Sequence, residues 1–361
     1  MKSFLNGKNG RITGKTVLIA GLVVAIGAVA FFLMPSKSTT FGKKEFQKGV
    51  GYVTWSKNGY LSVSSDASLE KVQGLGSNWT SILVTWYQTN PGSFDIHMTE
   101  KTPSDEAVMQ AIRKAKGLGM KVMLKLHLDL IDKSDGSWRG EISCFDESSW
   151  DNWFKEYNDY MNYYIRIANQ EDVEMICIGT ELSACATVKG YRWSEMIKKM
   201  RNKYKGQLTY AAHWDRYQDI RFWNDLDYVG INAYFPLTEK MDPTYDELIE
   251  GWKKWVPEME AFQKKVNMPI IFPEIGCSSA DGAAIRPWEH VPRSEVNMGM
   301  QERYYQALLN IFWQKDWFYG VYWWYWGTNV NMGGKYNRGF TPQNKPAEQV
   351  IRKWYAKRVN K

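Results

Sequence analysis

The feature that most restricts how this chain can fold is a rhythm. Short β-rich runs, each followed by a longer amphipathic stretch, recur at 49–55, 81–87, 121–128, 174–182, 208–214, 228–235, 269–276 and 321–326. Parallel strands need crossovers long enough to hold a helix, so this alternation is the pattern of βα units around a parallel sheet. Stretches between the runs carry apolar residues at helical spacing, as in 102–117, which opens on Thr-Pro-Ser-Asp, and in 150–169. Eight such strands predict an α/β fold, a (β/α)8 or TIM barrel, over residues 48–361. The competing arrangement, an open doubly wound sheet, calls for a glycine-rich phosphate turn after an early strand, and no GxGxxG follows the first run. No repeat at solenoid periods and no interior low-complexity linker divides the body, so one domain is expected.

A different kind of sequence precedes that body. Residues 17–34 (VLIAGLVVAIGAVAFFLM) carry no charge and no strong polar group, and they are long enough to span a bilayer as one helix. Lys2, Lys8, Arg11 and Lys15 stand before them. The positive-inside rule then predicts a cytoplasmic segment 1–16, a transmembrane signal anchor 17–34, a polar tether 35–47, and a body on the periplasmic or cell-surface side. A cleaved signal peptide is the alternative, since Ala28-Val29-Ala30 is a small-residue site; cutting there would expose Phe31, Phe32, Leu33 and Met34, which favours the anchor. Up to Lys48, eight basic residues stand against one acid, Glu45, and account for the whole formal charge of +7. The rest is formally neutral without a basic stripe, which argues against a nucleic-acid partner. An exported body permits disulfides among Cys144, Cys177, Cys185 and Cys277, but spacing assigns no pairing, and no CxxC, Cys/His or HExxH arrangement points to a metal.

Barrel geometry acts as a filter for chemistry, because strand side chains alternate between lumen and helices and functional groups gather at C-terminal strand ends. Along 121–128, Val122, Leu124, Leu126 and Leu128 share one wholly apolar parity that must face the helices, which turns Lys125 and His127 into the lumen. A buried lysine is costly without a counter-charge, so Lys125 is expected to meet a carboxylate; His127, nearer the mouth, reads equally as a site residue or a structural histidine. Glu181 ends the fourth run and Glu274 the seventh, each breaking an apolar or small-residue stretch. Either alone is compatible with a structural ion pair. Together, three steps apart around an eight-stranded ring, they can converge across the mouth as proton donor and nucleophile. Glycosidic cleavage requires such a pair, and a separation of about 5 to 5.5 Å would make it a retaining, double-displacement pair. The 18 Trp and 21 Tyr suit a sugar-binding cleft, although a large aromatic core would use the same rings.

ICIGTEL around Glu181, GINAYFP around Tyr234, FPEIGC around Glu274 and VYWWYW before Gly327 resemble a clan A glycoside hydrolase. With KVMLKLHLD around His127, the resemblance is closest to glycoside hydrolase family 113, whose characterised members are mainly β-1,4-mannanases, and it extends over nearly the whole body to the closing FTPQNKPAE. It implies hydrolysis of a β-linked polysaccharide or oligosaccharide, foremost β-1,4-mannan, without cofactor or metal. It further implies Glu181 as general acid/base, Glu274 as nucleophile, Tyr234 bonded to that nucleophile, and Trp324 or Trp326 flooring the sugar subsite beside the scissile bond. Alternation puts both tryptophans on one side of the strand and does not choose between them. Many clan members carry Asn just before the acid/base and this chain carries Thr180, a shorter polar group that can still bond a sugar.

Trp86, Asn232 and His213, at strand ends, are further candidates for substrate contact, together with Lys125, His127 and Thr180. Cys277 reads as packing, since no adjacent His activates it. The expected partners are the glycan and, through the N-terminal helix, a membrane; the body is expected to be a monomer. A surface barrel that binds glycan without cutting it and a structural envelope protein are the non-hydrolytic alternatives, and the presence of both strand-end glutamates favours the enzyme. The choice among mannan, glucan, galactan and xylan, and between endo and exo action, rests on the shape of loops such as 132–149 and 278–297.

Overall fold

The computed structural model describes residues 44–290 and 294–359. The expected segments 1–16 and 17–34 and most of the tether 35–47 lie outside them; among the described residues no helix is long and apolar enough to cross a membrane. Eight parallel strands close into a barrel in chain order: β1 (Gln47–Val53), β2 (Trp79–Gln88), β3 (Lys121–Leu130), β4 (Met175–Thr180), β5 (Gln207–His213), β6 (Tyr228–Asn232), β7 (Ile270–Ile275) and β8 (Phe318–Gly327). Around them lie α1 (Val63–Gly74), α2 (Asp105–Gly117), α3 (Glu147–Gln170), α4 (Ser183–Val188), α5 (Gly190–Lys203), α6 (Tyr245–Val266), α7 (Met298–Phe312) and α8 (Pro346–Tyr355). The expected (β/α)8 fold is thus the observed one, with one lapse. β5 passes to β6 through two 3₁₀ turns, Tyr217–Asp219 and Trp223–Asp225, because that link is short and rich in Asp, Asn and Arg.

Local chemistry accounts for the helix starts. Ser62, Ser104, Asp146 and Asn297 each accept a backbone N–H of the first turn, and Thr244 and Glu247 form a capping box at α6. β1 starts two residues earlier than its pattern suggested. Phe46 is only 5% exposed and packs on Trp313 and Phe318, so the last residues of the expected tether already belong to the barrel wall.

Apolar side chains sort into two layers, as strand alternation requires. Val122, Leu124, Leu126 and Leu128 of β3 lie in the outer layer against the helices. Met123, Met175, Cys177, Ile271 and Tyr322 belong to an inner layer that fills the lower lumen. Gly49 lets that layer close, since a Cβ there would stand 2.4 Å from the Tyr322 ring. Much of the aromatic surplus sits in the outer layer, where rings of α3 brace the strands: Tyr157 donates to Ile178 O at 2.8 Å and Tyr160 to His127 O at 3.0 Å. Trp153 stacks on Tyr157 at 4.7 Å and donates from Nε1 to Gln88 Oε1 at 3.0 Å. All four cysteines are free thiols.

Because Trp153 is fully buried, Trp153→Ala is expected to cost about 3 to 5 kcal/mol and lower the urea midpoint correspondingly. A loss below about 1 kcal/mol would mean that the α3 seam does not brace the barrel.

Candidate active site

Lys125 on β3 and Glu274 on β7 meet across the lumen, just above the apolar filling, at 1% and 5% exposure. Lys125 Nζ donates to Glu274 Oε1 at 2.5 Å and to Pro273 O at 3.1 Å. His127 Nε2 stands 3.2 Å from the same Oε1, and Tyr234 donates its hydroxyl to Oε2 at 3.2 Å. Burial by itself would raise the carboxyl's pKa, but Lys125 and His127 outweigh it and hold Glu274 well below the usual carboxylate range. Burial drives His127 down to about 4 despite the carboxylate beside it, so the ring is neutral at pH 7 and Lys125 supplies the compensating charge. Burial, reinforced by the Glu274 charge, pushes the Tyr234 hydroxyl well above its ordinary value, which keeps it a donor.

Glu181 follows the last residue of β4 and has a φ of 54°, a left-handed conformation uncommon outside glycine. Its backbone N–H still joins the barrel, donating to Ala211 O at 2.8 Å. Arg139, in a 3₁₀ turn of the loop after β3, donates from Nη1 to Glu181 Oε2 at 3.1 Å, and its Nε lies 3.9 Å from Asp129 Oδ1. Burial works against that guanidinium, but Asp129, Glu181 and Glu274 keep it charged. Both carboxylates open into one cavity of about 580 Å³, lined also by His127, Trp138, Arg139, His213, Trp214, Asp215, Tyr234, Trp288, Trp324 and Phe340. That volume suits sugar units held between aromatic faces and a few polar groups.

Of the residues expected at the site, Glu181, Glu274, His127, Tyr234, His213 and Trp324 line this cavity, and Lys125 lies beneath it on Glu274. The Trp324 ring lies parallel to His127, centroids 5.9 Å apart, with Lys125 Nζ 5.6 Å from its centre. Asn232 is fully buried on β6 between its register partners His213 and Glu274, with neither amide atom hydrogen-bonded.

Three expected contacts are corrected. Trp326 faces α1 instead, donating from Nε1 to Ser68 Oγ at 2.9 Å, because β8 uses three residues from Trp323 to Trp326 where β1 uses two from Val50 to Tyr52; the Trp324–Tyr325 peptide in between is cis. Trp86 packs on Tyr160 and Tyr163 of α3 and donates to the Tyr164 hydroxyl at 3.1 Å. Thr180 is buried and turns its hydroxyl to Leu126 O at 3.3 Å. Arg139, Trp138, Asp215, Trp288 and Phe340 come from loops, where no periodicity marks a side chain as inward-facing.

Removing the lumen cation tests this arrangement. Lys125 favours ionised Glu274, so Lys125→Met should raise the pKa of the carboxylate, and the activity that depends on its charge should be lost at a higher pH as the solution is acidified. The acidic limb of kcat/KM is expected to move up by about one pH unit or more, with a rate loss of about 100-fold. An unmoved limb would contradict the electrostatic role of Lys125.

The sequence matches the family model described as Glycoside Hydrolase Family 113 over residues 50–345. A β-1,4-mannanase of that family, solved as a complex, is 26% identical, with 87% of this chain and 100% of that one covered and a TM-score of 0.79. The β-mannanase AaManA from Alicyclobacillus acidocaldarius, in complex with ManMIm, is 26% identical with 88% and 99% covered, again at a TM-score of 0.79. A β-glucuronidase from Ruminococcus gnavus, at 14% identity, a TM-score of 0.58 and coverage of 86% of this chain and 50% of that one, shares the fold alone. No curated protein matches the sequence. With the family match running from β1 to the threshold of α8, across a barrel that opens on two carboxylates, the chain belongs to glycoside hydrolase family 113 and is a glycoside hydrolase.

Proposed function

We propose that this hydrolase cleaves a β-linked glycan, foremost β-1,4-mannan, with retention of configuration, Glu274 attacking the anomeric carbon and Glu181 acting first as acid and then as base. The observation that carries the reading is the convergence of Lys125, His127 and Tyr234 on a single buried carboxylate. An inverting base has to hold a water between itself and the sugar. Glu274, with one oxygen against Lys125 and His127 and the other accepting from Tyr234, is better suited to direct attack.

In the first step Glu274 forms a bond to the anomeric carbon while Glu181 gives a proton to the departing oxygen. In the second, Glu181 takes a proton from water, whose oxygen displaces Glu274. Lys125 and the Tyr234 hydroxyl stabilise the carboxylate before attack and again as it leaves. In this reading Trp324, whose ring lies parallel to that of His127, stacks on the sugar that Glu274 attacks. The choice of mannan rests on the family and on the two mannanases the chain is similar to.

Glu274→Ala and Glu181→Ala are each expected to lower hydrolysis of β-1,4-mannan by about a thousandfold or more with an unchanged melting temperature. NMR of the first product should show the β anomer; an α anomer would rule out retention. Wild type that binds but releases no reducing sugar from mannan, glucan, galactan or xylan would make the barrel a glycan-binding module instead.

We also propose that residues 17–34 anchor the enzyme in a membrane with the barrel outside the cytoplasm, on the strength of the apolar run and the four cations before it. The full-length chain should then sediment with membranes and leave them only with detergent. Recovery from the medium of a chain beginning after Ala30 would replace the anchor with cleavage.

A further inference from the structure

A proton donor with a guanidinium bonded to it is a contradiction that the fold has to resolve. Arg139 donates from Nη1 to Glu181 Oε2 at 3.1 Å, and a cation there favours the ionised carboxyl over the protonated one that the first step needs. The same guanidinium faces a second acid. Its Nε lies 3.9 Å from Asp129 Oδ1, beyond a hydrogen bond, and this buried nitrogen has no hydrogen-bond partner among the described residues. Asp129 is an anion on its own account, since Lys133 donates to Oδ2 at 2.8 Å and the Leu130 N–H to Oδ1 at 3.0 Å. Burial would raise its carboxyl, but Arg139 and Lys133 bring it below its ordinary value.

We propose that Arg139 is a positioning residue shared between Glu181 and Asp129. It holds Glu181 as the carboxylate that activates water, and it shifts toward Asp129 while Glu181 carries the proton for the leaving oxygen. The proposal rests on the retaining-hydrolase reading and adds the residue that lets one carboxyl serve as acid and then as base. Protons balance over the cycle. Glu181 gives one to the departing oxygen and regains one from the water whose oxygen displaces Glu274, so each turnover returns it to the acid form.

The mounting of Arg139 suits a short traverse. Its turn, Arg139–Glu141, packs on α4, which begins two residues after Glu181, so the backbone is fixed against the acid/base while the long side chain spans the gap to either carboxylate. No other group at the site can take this part. Lys125 is bonded to Glu274 beneath the cavity, and burial leaves the His127 ring neutral. Burial also keeps the hydroxyls of Tyr210 on β5 and Tyr234 after β6, which feel the Glu181 charge, in their neutral form. His213 and Asp215, on the loop after β5, are bonded to each other at 2.5 Å.

The test is the pH profile of kcat/KM on β-1,4-mannotetraose, whose basic limb follows loss of the proton from the acid. A cation favours the ionised form of its partner, so without it Glu181 keeps its proton to higher pH. Arg139→Met is therefore expected to move the basic limb up by about one pH unit, and Arg139→Lys to bring it most of the way back. Asp129→Asn leaves the guanidinium wholly to Glu181 and should move the same limb down by about half a unit. The acidic limb, which follows Glu274, should move less in each variant, because Lys125 bonds that carboxylate directly. A basic limb that stays in place, or that moves the same way in Arg139→Met and Asp129→Asn, would make Arg139 structural and overturn the proposal with the hydrolase reading intact. Should Arg139→Met not fold, Asp129→Asn decides alone, an unmoved or raised limb overturning the proposal. Wild type that releases no reducing sugar from mannotetraose overturns the hydrolase reading and the proposal with it.

Discussion

Glu274 carries its charge at only 5% exposure in the lumen, and Lys125, at 1%, meets that charge within a hydrogen bond's length. Much of the architecture follows from this requirement. A desolvated carboxylate with no counter-charge would take up a proton and lose its charge, and a desolvated lysine would be equally costly. β3 and β7 are not neighbours in the sheet, so their side chains meet only because the sheet closes on itself and turns alternate residues inward. The apolar residues below shield the pair on that side, which lowers the local dielectric and strengthens it.

How much of this was legible in the sequence depended on how faithfully each strand kept its alternation. β3 pairs with β2 without a slip from Trp79↔Lys121 to Gln88↔Leu130, so parity alone turned Lys125 inward and demanded an acid opposite it. β8 breaks step beyond Trp323, and a rule that counts residues in twos puts Trp324 and Trp326 on one face although they point to opposite ones. Trp86 and Thr180 show a signal present but outweighed. Trp86 shares the parity of Ile82 and Val84, and Thr180 that of Ile176 and Ile178, all buried against helices, yet position at a strand end suggested the cleft. Arg139 had no such signal. A lone arginine in a polar loop looks like any solvated charge until the loop folds back over Glu181.

The two carboxylates are therefore held by different means. Glu274 sits within β7 and is positioned by rigid strands, with its partners on β3 and just past β6. Glu181 lies one residue past β4 in a left-handed turn, and its nearest cation comes from a loop. Glu274 inherits the precision of the barrel, while Glu181 inherits the variability of the loops. That division lets one barrel keep its bond-breaking centre while its loops vary in the glycan they accept.

The apolar filling of the lower lumen has a consequence for traffic. With Met123, Met175, Cys177, Ile271 and Tyr322 packed beneath Lys125, the reaction chamber is a cul-de-sac with its doorway at the C-terminal rim of the strands. The glycan, the hydrolytic water and both products all share that doorway. Whatever enters or leaves must use the same rim, so the traffic of the site is set by a floor that lies beneath it.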